Sequence, residues 1–551
     1  MKLKMKLNRK LCQQAGLNLS TLCWTYLSFI ICVLSLSPAT TQAGNLANYN
    51  VVPLPQSIVE QKGEPFILEE GVQILAPAEL QNEALFLKQY LKDVTWNDLP
   101  IVSQRAKKGR YIELALSAAV KEKEGYVMTV TKRGITIQGG SAAGVFYGVQ
   151  TLRKALKEGP VMNPVVITDA PRFSWRGMHL DCSRHFFPIP FVKKYIDLLA
   201  LHNMNVFHWH LTDDQGWRID IKKWPKLKSV GSQRSGTIIG TNSDLDDHIP
   251  YSGCYSQEEA REIVAYAAAR HITVVPEIDM PGHMLAALAS YPELGCTGGP
   301  YQVGHYWGVY KDVLCVANPK VYEFVEDVLT ELMDIFPSEV IHIGGDETPT
   351  DKWLACPKCQ TLGTSLQAHF TQRVFDFLTA HHRRALGWDE ILDGSPQDAM
   401  IMSWRGTEPG AKAAETGHDV VMAPTTHCYF DYQQVEDALF EPSRCGGFIP
   451  VEKVYSLDPA PKSLSEEARR HILGTQANLW SEYMTNEEMV EYQALPRMSA
   501  LSEVQWTQPE RKDYEDFKQR LTRLTALFEQ YGYTYAKHLW PERQIPSRWQ
   551  F

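Results

Sequence analysis

Val340-Ile341-His342-Ile343-Gly344-Gly345-Asp346-Glu347-Thr348 reads as a short apolar strand that runs into two glycines and then into two adjacent carboxylates. Consecutive side chains on a regular strand point to opposite faces, so Asp346 and Glu347 can share a pocket only where the strand ends and the backbone turns. The two glycines supply the freedom for that turn. In a closed pocket neighbouring carboxylates oppose each other's ionisation, so one can hold a proton near neutral pH and serve as a general acid. An arbitrary Asp-Glu pair is usually a solvated surface pair. The apolar strand and the glycines argue against that here.

Working outward, short apolar strands at 178–180, 205–210, 272–278, 340–343, 385–388, 400–404, 420–423 and 473–479 alternate with helical stretches at 190–201, 257–270, 321–335, 366–380 and 411–416. That alternation is the βα pattern of a parallel sheet. Each strand ends in charged or aromatic residues: Asp181 and Arg184, Asp213 and Asp214, Asp279 and His283, Asp346 and Glu347, Trp388 and Asp389, Trp404, Tyr429 and Asp431, Trp480 and Glu482. A closed (β/α)8 TIM barrel brings all eight C-terminal ends to one face. A doubly wound sheet, the alternative α/β architecture, would scatter them along an edge. The barrel is therefore the expected fold, over residues 171–510, with the connection into the eighth strand the least defined.

Residues 44–170 alternate strand and helix on a shorter scale, with strands at 65–68, 72–75, 111–116, 126–131 and 135–138 and helices at 80–91 and 141–156. They predict a small α+β domain without a catalytic cluster. Residues 511–531 predict an amphipathic helix packed on the barrel, and the tail to Phe551 carries no readable motif. Lys2, Lys4, Lys6, Arg9 and Lys10 precede an apolar run at 19–37 and the small residues that lead to Ala43. This predicts a secretory signal over 1–43, cleaved after Ala43, with an uncleaved membrane anchor as the alternative. Either way the rest is exported, to the periplasm, cell surface or medium, and no second apolar run of that length follows.

The whole chain has 551 residues, 44% hydrophobic and 22% charged, which excludes a disordered or low-complexity protein. Its formal charge of −9 argues against a nucleic-acid partner. Export permits disulfides, and Cys296 with Cys315 could close the loop that they bracket. Cys356-Pro-Lys-Cys359 has the spacing of a redox or zinc motif. With no second such pair in the sequence, a local bridge or two free thiols is the simpler reading.

Trp388, Trp404 and Trp480 fall at the ends of three different strands, with Tyr429 close behind. One buried Trp is usually only packing. Three at equivalent ends, among carboxylates and an Arg, suggest a pocket for a sugar, whose ring offers apolar faces and a rim of hydroxyls.

The ordered segments Trp175-Arg176-Gly177, Asp181-Cys182-Ser183-Arg184-His185-Phe186, Phe207-His208-Trp209-His210-Leu211-Thr212-Asp213-Asp214-Gln215-Gly216-Trp217, Pro276-Glu277-Ile278-Asp279-Met280-Pro281-Gly282-His283, the Gly-Gly-Asp-Glu run and Leu479-Trp480-Ser481-Glu482 resemble glycoside hydrolase family 20, the β-N-acetylhexosaminidases. The resemblance covers most of the chain beyond residue 43. It implies an exo-acting, retaining enzyme without a cofactor or metal, acting on glycans with terminal N-acetylhexosamine. The sugar's own 2-acetamido oxygen would be the nucleophile. By that resemblance Glu347 is the general acid/base, expected protonated, and Asp346, expected ionised, orients the acetamido group. Tyr429 donates to the acetamido carbonyl, and Asp213 and His283 form a relay to Glu347. Arg184 and Glu482 hold hydroxyls of the terminal sugar, Asp431 adds a further contact, and Trp388, Trp404 and Trp480 box in the ring and the acetamido methyl. Release of one sugar and, as in lacto-N-biosidases of the same family, of a disaccharide both fit.

Two readings from other classes compete. His208-Trp209-His210 at a strand end resembles the paired histidines of metal-dependent amidohydrolase barrels, but the later strands end in Trp where that centre needs His. A glycan-binding protein on an inactive barrel would need the Asp346-Glu347 pair broken, and it is intact.

Overall fold

The computed structural model describes residues 46–540, apart from 106–108, 241–242, 364, 437–440 and 442–445. The expected signal over 1–43 lies outside the described residues. Among the described residues no helix is long and apolar enough to cross a membrane.

Eight parallel strands close into a barrel in sequence order: Trp175–Asp181, Val206–His210, Thr273–Glu277, Val340–His342, Arg384–Trp388, Met400–Ser403, Val420–Met422 and Ile472–Ala477. The strands are buried almost throughout, because helices cover them outside and side chains fill the centre. Helices Ile189–Leu201, Gln257–Ala268, Pro319–Ile335, Leu366–Ala380 and Glu408–Glu415 occupy the expected connections. The seventh connection, the least defined in the sequence, carries among the described residues three short helices, Thr425–Cys428, Val451–Tyr455 and Glu466–His471. Each is too short to show a helical period, which is why the pattern there was faint.

The small domain is a seven-stranded mixed sheet with helices Gln81–Thr95 and Ala142–Leu156. It meets the barrel through groups at the starts of the barrel strands. Glu124 takes two hydrogen bonds from Arg176 at 2.8 and 2.9 Å, and Glu83 contacts His271 at 2.9 Å. Lys154 Nζ donates to Leu201 O at 3.0 Å, just before the second strand. All of these lie at the N-terminal end of the barrel, so the small domain braces the face opposite the strand termini that carry the polar residues.

The C-terminal helix Tyr514–Tyr531 runs from an Asp513 cap to Gly532, whose left-handed φ of +66° ends it. Its Arg520 forms a fully buried ion pair with Glu503 of helix Arg497–Trp506, at 2.6 and 2.9 Å. A buried guanidinium left without its carboxylate is costly, so this pair fixes where the helix docks.

Candidate active site

After His342 the fourth strand turns through Gly344 (φ +69°) and Gly345 (φ +99°). A Cβ on Gly344 would lie 1.7 Å from Asp279 Oδ1, and one on Gly345 2.4 Å from Ile391. Both positions thus need glycine for space as well as conformation. Glu347 follows with φ +45°, and His283, beyond the third strand, has φ +50°. Left-handed conformations cost non-glycine residues about 1–3 kcal/mol and concentrate at functional sites.

That strained pair meets face to face. His283 Nε2 lies 3.6 Å from Glu347 Oε2 and 3.7 Å from Asp346 Oδ2, while its Nδ1 lies 3.2 Å from both Asp213 Oδ1 and Asp214 Oδ2. The expected relay through Asp213 therefore has a second carboxylate, Asp214, which the sequence reading left without a role. Asp213 is shared further, with Arg184 Nη2 and His210 Nε2, each at 2.9 Å.

Arg184 is the hub of the opposite side. It contacts Asp181 at 3.2 Å, Glu482 at 3.9 Å and Gln215 at 3.0 Å, and its guanidinium sits over the Trp480 ring. Trp480 in turn lies 5.7 Å from Trp388, and Trp404 stacks on Tyr429 at 6.1 Å. All the residues singled out in the sequence thus lie at the C-terminal end of the barrel. Trp388 is 1% exposed and donates its Nε1 to Glu277 at 3.0 Å, which sets its ring at the bottom of the pocket beside Trp480. Asp346 Oδ1, Asp431 Oδ1 and Glu482 Oε2 are buried and have no hydrogen-bond partner among the described residues. Carboxylate oxygens placed this way suit the hydroxyl and amide donors of a polar ligand.

Beneath this layer lies a group that sequence reasoning did not assign. Asp181, His210, Glu277 and His342 are register partners on four successive strands and form one inward-facing tier. Glu277 takes contacts from His210 at 2.5 Å, His208 at 3.1 Å and His342 at 2.9 Å. Burial works against its charge, yet the surrounding imidazoles hold it well below the usual carboxylate range. Burial also opposes charge on His210, but Glu277 and Asp213 raise it well above its ordinary value. Of the paired histidines, His210 pairs with Glu277 and Asp213 while burial lowers His208 to about 4, and both share the Glu277 carboxylate under the pocket. Their strand-end position was visible in the sequence; their common partner depends on barrel register and was not.

The proton distribution departs from the expected one. Burial pushes Asp346 upward, and nearby Glu277 and Glu347 add to this against the pull of His283. Glu347 is held below the usual range, first by the approach of His283. Burial would lower His283, but Asp213 and Asp214 raise it well above its ordinary value. In the free chain, then, the imidazole keeps the proton that was expected on Glu347. Another unassigned neighbour is Glu390, which accepts from Trp404 Nε1 at 2.9 Å and is raised to about 7 by burial.

Comparison with known proteins agrees with the fold and shows the family. Residues 173–509 match the family described as glycosyl hydrolase family 20, catalytic domain, and residues 48–170 match domain 2 of the same family. A β-hexosaminidase of Porphyromonas gingivalis is 39% identical over 539 residues, spanning 93% of this chain and 68% of the relative. The solved β-N-acetylhexosaminidase of Streptomyces coelicolor is 31% identical with a TM-score of 0.78, over 90% of this chain and 98% of that one. An exo-β-N-acetylglucosaminidase of Vibrio harveyi, solved with N-acetylglucosamine, is 32% identical with a TM-score of 0.79, over 92% and 80% of the two chains. The chain is a glycoside hydrolase and belongs to glycosyl hydrolase family 20.

Proposed function

We propose that the chain removes terminal, non-reducing N-acetylhexosamine from β-linked glycans, with retention, by substrate-assisted catalysis. The observation that carries this reading is the Asp346–Glu347 pair turned into one pocket against His283, opposite the Arg184–Glu482 side. The acetamido carbonyl oxygen attacks the anomeric carbon as the leaving oxygen takes a proton from Glu347. The resulting oxazolinium ion is opened by water, whose proton returns to Glu347. Holding an internal nucleophile in place replaces a bimolecular encounter. Asp346 accepts the acetamido N–H and balances the positive charge that builds there. Tyr429 donates to the acetamido oxygen, and Arg184, Asp431 and Glu482 take the sugar hydroxyls. Trp404 and Trp480 flank the ring.

Substrate binding supplies the proton shift that this scheme needs. Glu347 is 43% exposed in the free chain, and a sugar closing over it strips water and favours its protonated form. An N–H donated to Asp346 favours its ionised form. The proton then passes from His283 to Glu347, with Asp213 and Asp214 holding the imidazole in place.

This relay makes a signed prediction. A group with a raised pKa keeps its proton until the pH passes that raised value, so His283 should sustain kcat/KM into the alkaline range. His283→Gln leaves the proton to Glu347 alone. The basic limb of the kcat/KM profile should then move to lower pH by about 1–3 units. An unmoved limb would remove His283 from proton storage.

The activity itself is tested with chromogenic N-acetylglucosaminide, N-acetylgalactosaminide and lacto-N-bioside substrates side by side. Turnover of the first two and not the third is expected. Cleavage of the lacto-N-bioside alone would convert the reading to disaccharide release. Export rests on segment 1–43 and belongs to the same proposal.

A further inference from the structure

Two cysteine pairs that lie far apart in the sequence meet on the rim of the barrel. Cys296 and Cys315 bracket a loop after the third strand, and Cys356 and Cys359 lie in the loop after the fourth. Folding brings all four sulfurs within 4.8 Å of one another. Cys315 Sγ lies 3.9 Å from Cys356 and 3.6 Å from Cys359, and Cys359 lies 3.9 Å from Cys296. The sequence reading treated these as separate pairs and took the second pair of a zinc motif to be missing. The structure brings the two pairs together, Cys296 and Cys315 arriving from the adjoining barrel connection.

The spacing discriminates between two chemistries. A disulfide brings its sulfurs to about 2.05 Å. Four sulfurs at about 2.3 Å from one tetrahedral zinc lie about 3.8 Å from each other. Three of the six sulfur separations, at 3.6–3.9 Å, match tetrahedron edges, and all six lie within 4.8 Å. Cys315 is also nearly equidistant from Cys356 and Cys359, so no disulfide partner is singled out. Cys315, Cys356 and Cys359 are buried and Cys296 is partly so, which encloses the cluster. The Ala317 backbone hydrogen-bonds to the sulfurs of Cys315 and Cys359, as outer contacts do around thiolate ligands.

We propose that Cys296, Cys315, Cys356 and Cys359 bind one zinc ion as four thiolates, fastening two loops of the active-site face to each other. Four soft thiolates in a closed tetrahedral set, with no ligand position left for water, make a structural site rather than a catalytic one. Neighbouring contacts follow the same seam: Lys311 pairs with Asp351 at 2.9 Å, and Trp353 Nε1 donates to Leu314 O at 2.8 Å. The bracketed loop reaches the pocket through Tyr306, whose carbonyl accepts from Gln215 at 3.0 Å, and Gln215 in turn accepts from Arg184. The other loop begins immediately after Glu347. Zinc would thus hold both sides of the pocket without taking a step in the reaction.

The test is metal and thiol analysis of the full chain purified without added metal or chelator. One zinc per chain is expected, with these four thiols reacting only after denaturation with a chelator. Cobalt(II) exchanged into the wild type should give thiolate-to-metal charge-transfer bands and the intense visible bands of a tetrahedral site. Cys356→Ser with Cys359→Ser should lose the zinc, lower Tm and raise KM for the glycoside. Export would favour oxidation of the same sulfurs, so disulfides among the four in non-reduced peptide maps overturn the proposal. Metal-free protein with four free thiols overturns it too, as does iron in place of zinc. If the double variant fails to fold, the zinc content and cobalt spectrum of the wild type still decide. The metal content, thiol count, cobalt spectrum and Tm do not depend on the proposed reaction.

Discussion

Glu347→Gln is expected to lower kcat/KM for an N-acetylhexosaminide with a poor leaving group by about 10²–10⁴-fold, the usual share of a general acid. The loss should be far smaller for an aryl glycoside whose departing oxygen needs no proton. The comparison must use kcat/KM, which reports steps up to the first irreversible one. Later in the cycle the same carboxylate takes a proton from the attacking water, so kcat would fall for both substrates and hide the difference. Glu347 is 43% exposed, and its change to Gln keeps shape while removing charge, so Tm should hardly move. Equal losses in kcat/KM on both substrates would take Glu347 out of the acid role. The experiment also bears on the free-state proton. Because His283 holds Glu347 below the usual range, its replacement should loosen the proton on His283 as well.

The barrel was legible because its strands are short apolar runs whose ends abruptly become polar, and that signal needs no tertiary knowledge. Eight expected strands are the eight observed, with ends differing by up to three residues. In the small domain the reading missed Ser57–Glu60, Ile101–Val102, Val161–Met162 and Val165–Asp169. Two of these have only two residues, and Ser57–Glu60 is an edge strand with half of its residues exposed, so neither alternation nor length marks those three, whereas Val165–Asp169 has five residues in alternating burial and was legible. Asp346 and Glu347 could be picked out because local backbone chemistry, two glycines before two carboxylates, is written in consecutive letters. Asp214, Glu390 and the Glu277 tier could not, since their roles come from neighbours on other strands. The proton distribution was also beyond the sequence. It depends on Asp346 being largely covered, with 13% of its side chain exposed, while Glu347 stays half open at 43%, a difference between adjacent residues that only the turn creates. The cysteine cluster failed for a related reason: a local bridge could be imagined from spacing, but joining two loops requires knowing that their strands are neighbours in the barrel.

Asp346→Asn should lower kcat by about 10²–10³-fold, the scale seen when one preorganised electrostatic partner of a transition state is removed. The amide keeps the shape of the carboxylate and can still orient the substrate, but it cannot balance the positive charge that develops on the acetamido nitrogen as the ring closes. Since burial already works against charge on Asp346, its ionised form is costly in the free chain and is stabilised only once that N–H and its growing charge arrive. The interaction therefore strengthens along the reaction coordinate, which lowers the barrier more than it tightens ground-state binding. A cyclised thiazoline analogue of the acetamido sugar carries the bicyclic shape without the cost of cyclisation. It should inhibit the wild type strongly and the Asn variant much less. Glycosides with a 2-hydroxyl in place of the 2-acetamido group should be almost inert, because they bring no internal nucleophile and neither carboxylate is proposed to supply one. Comparable turnover of a glucoside and its N-acetylglucosaminide counterpart would contradict the substrate-assisted route. So would a covalent glycosyl-enzyme trapped on Asp346 or Glu347, which would make that carboxylate the nucleophile while leaving the barrel and the family unchanged.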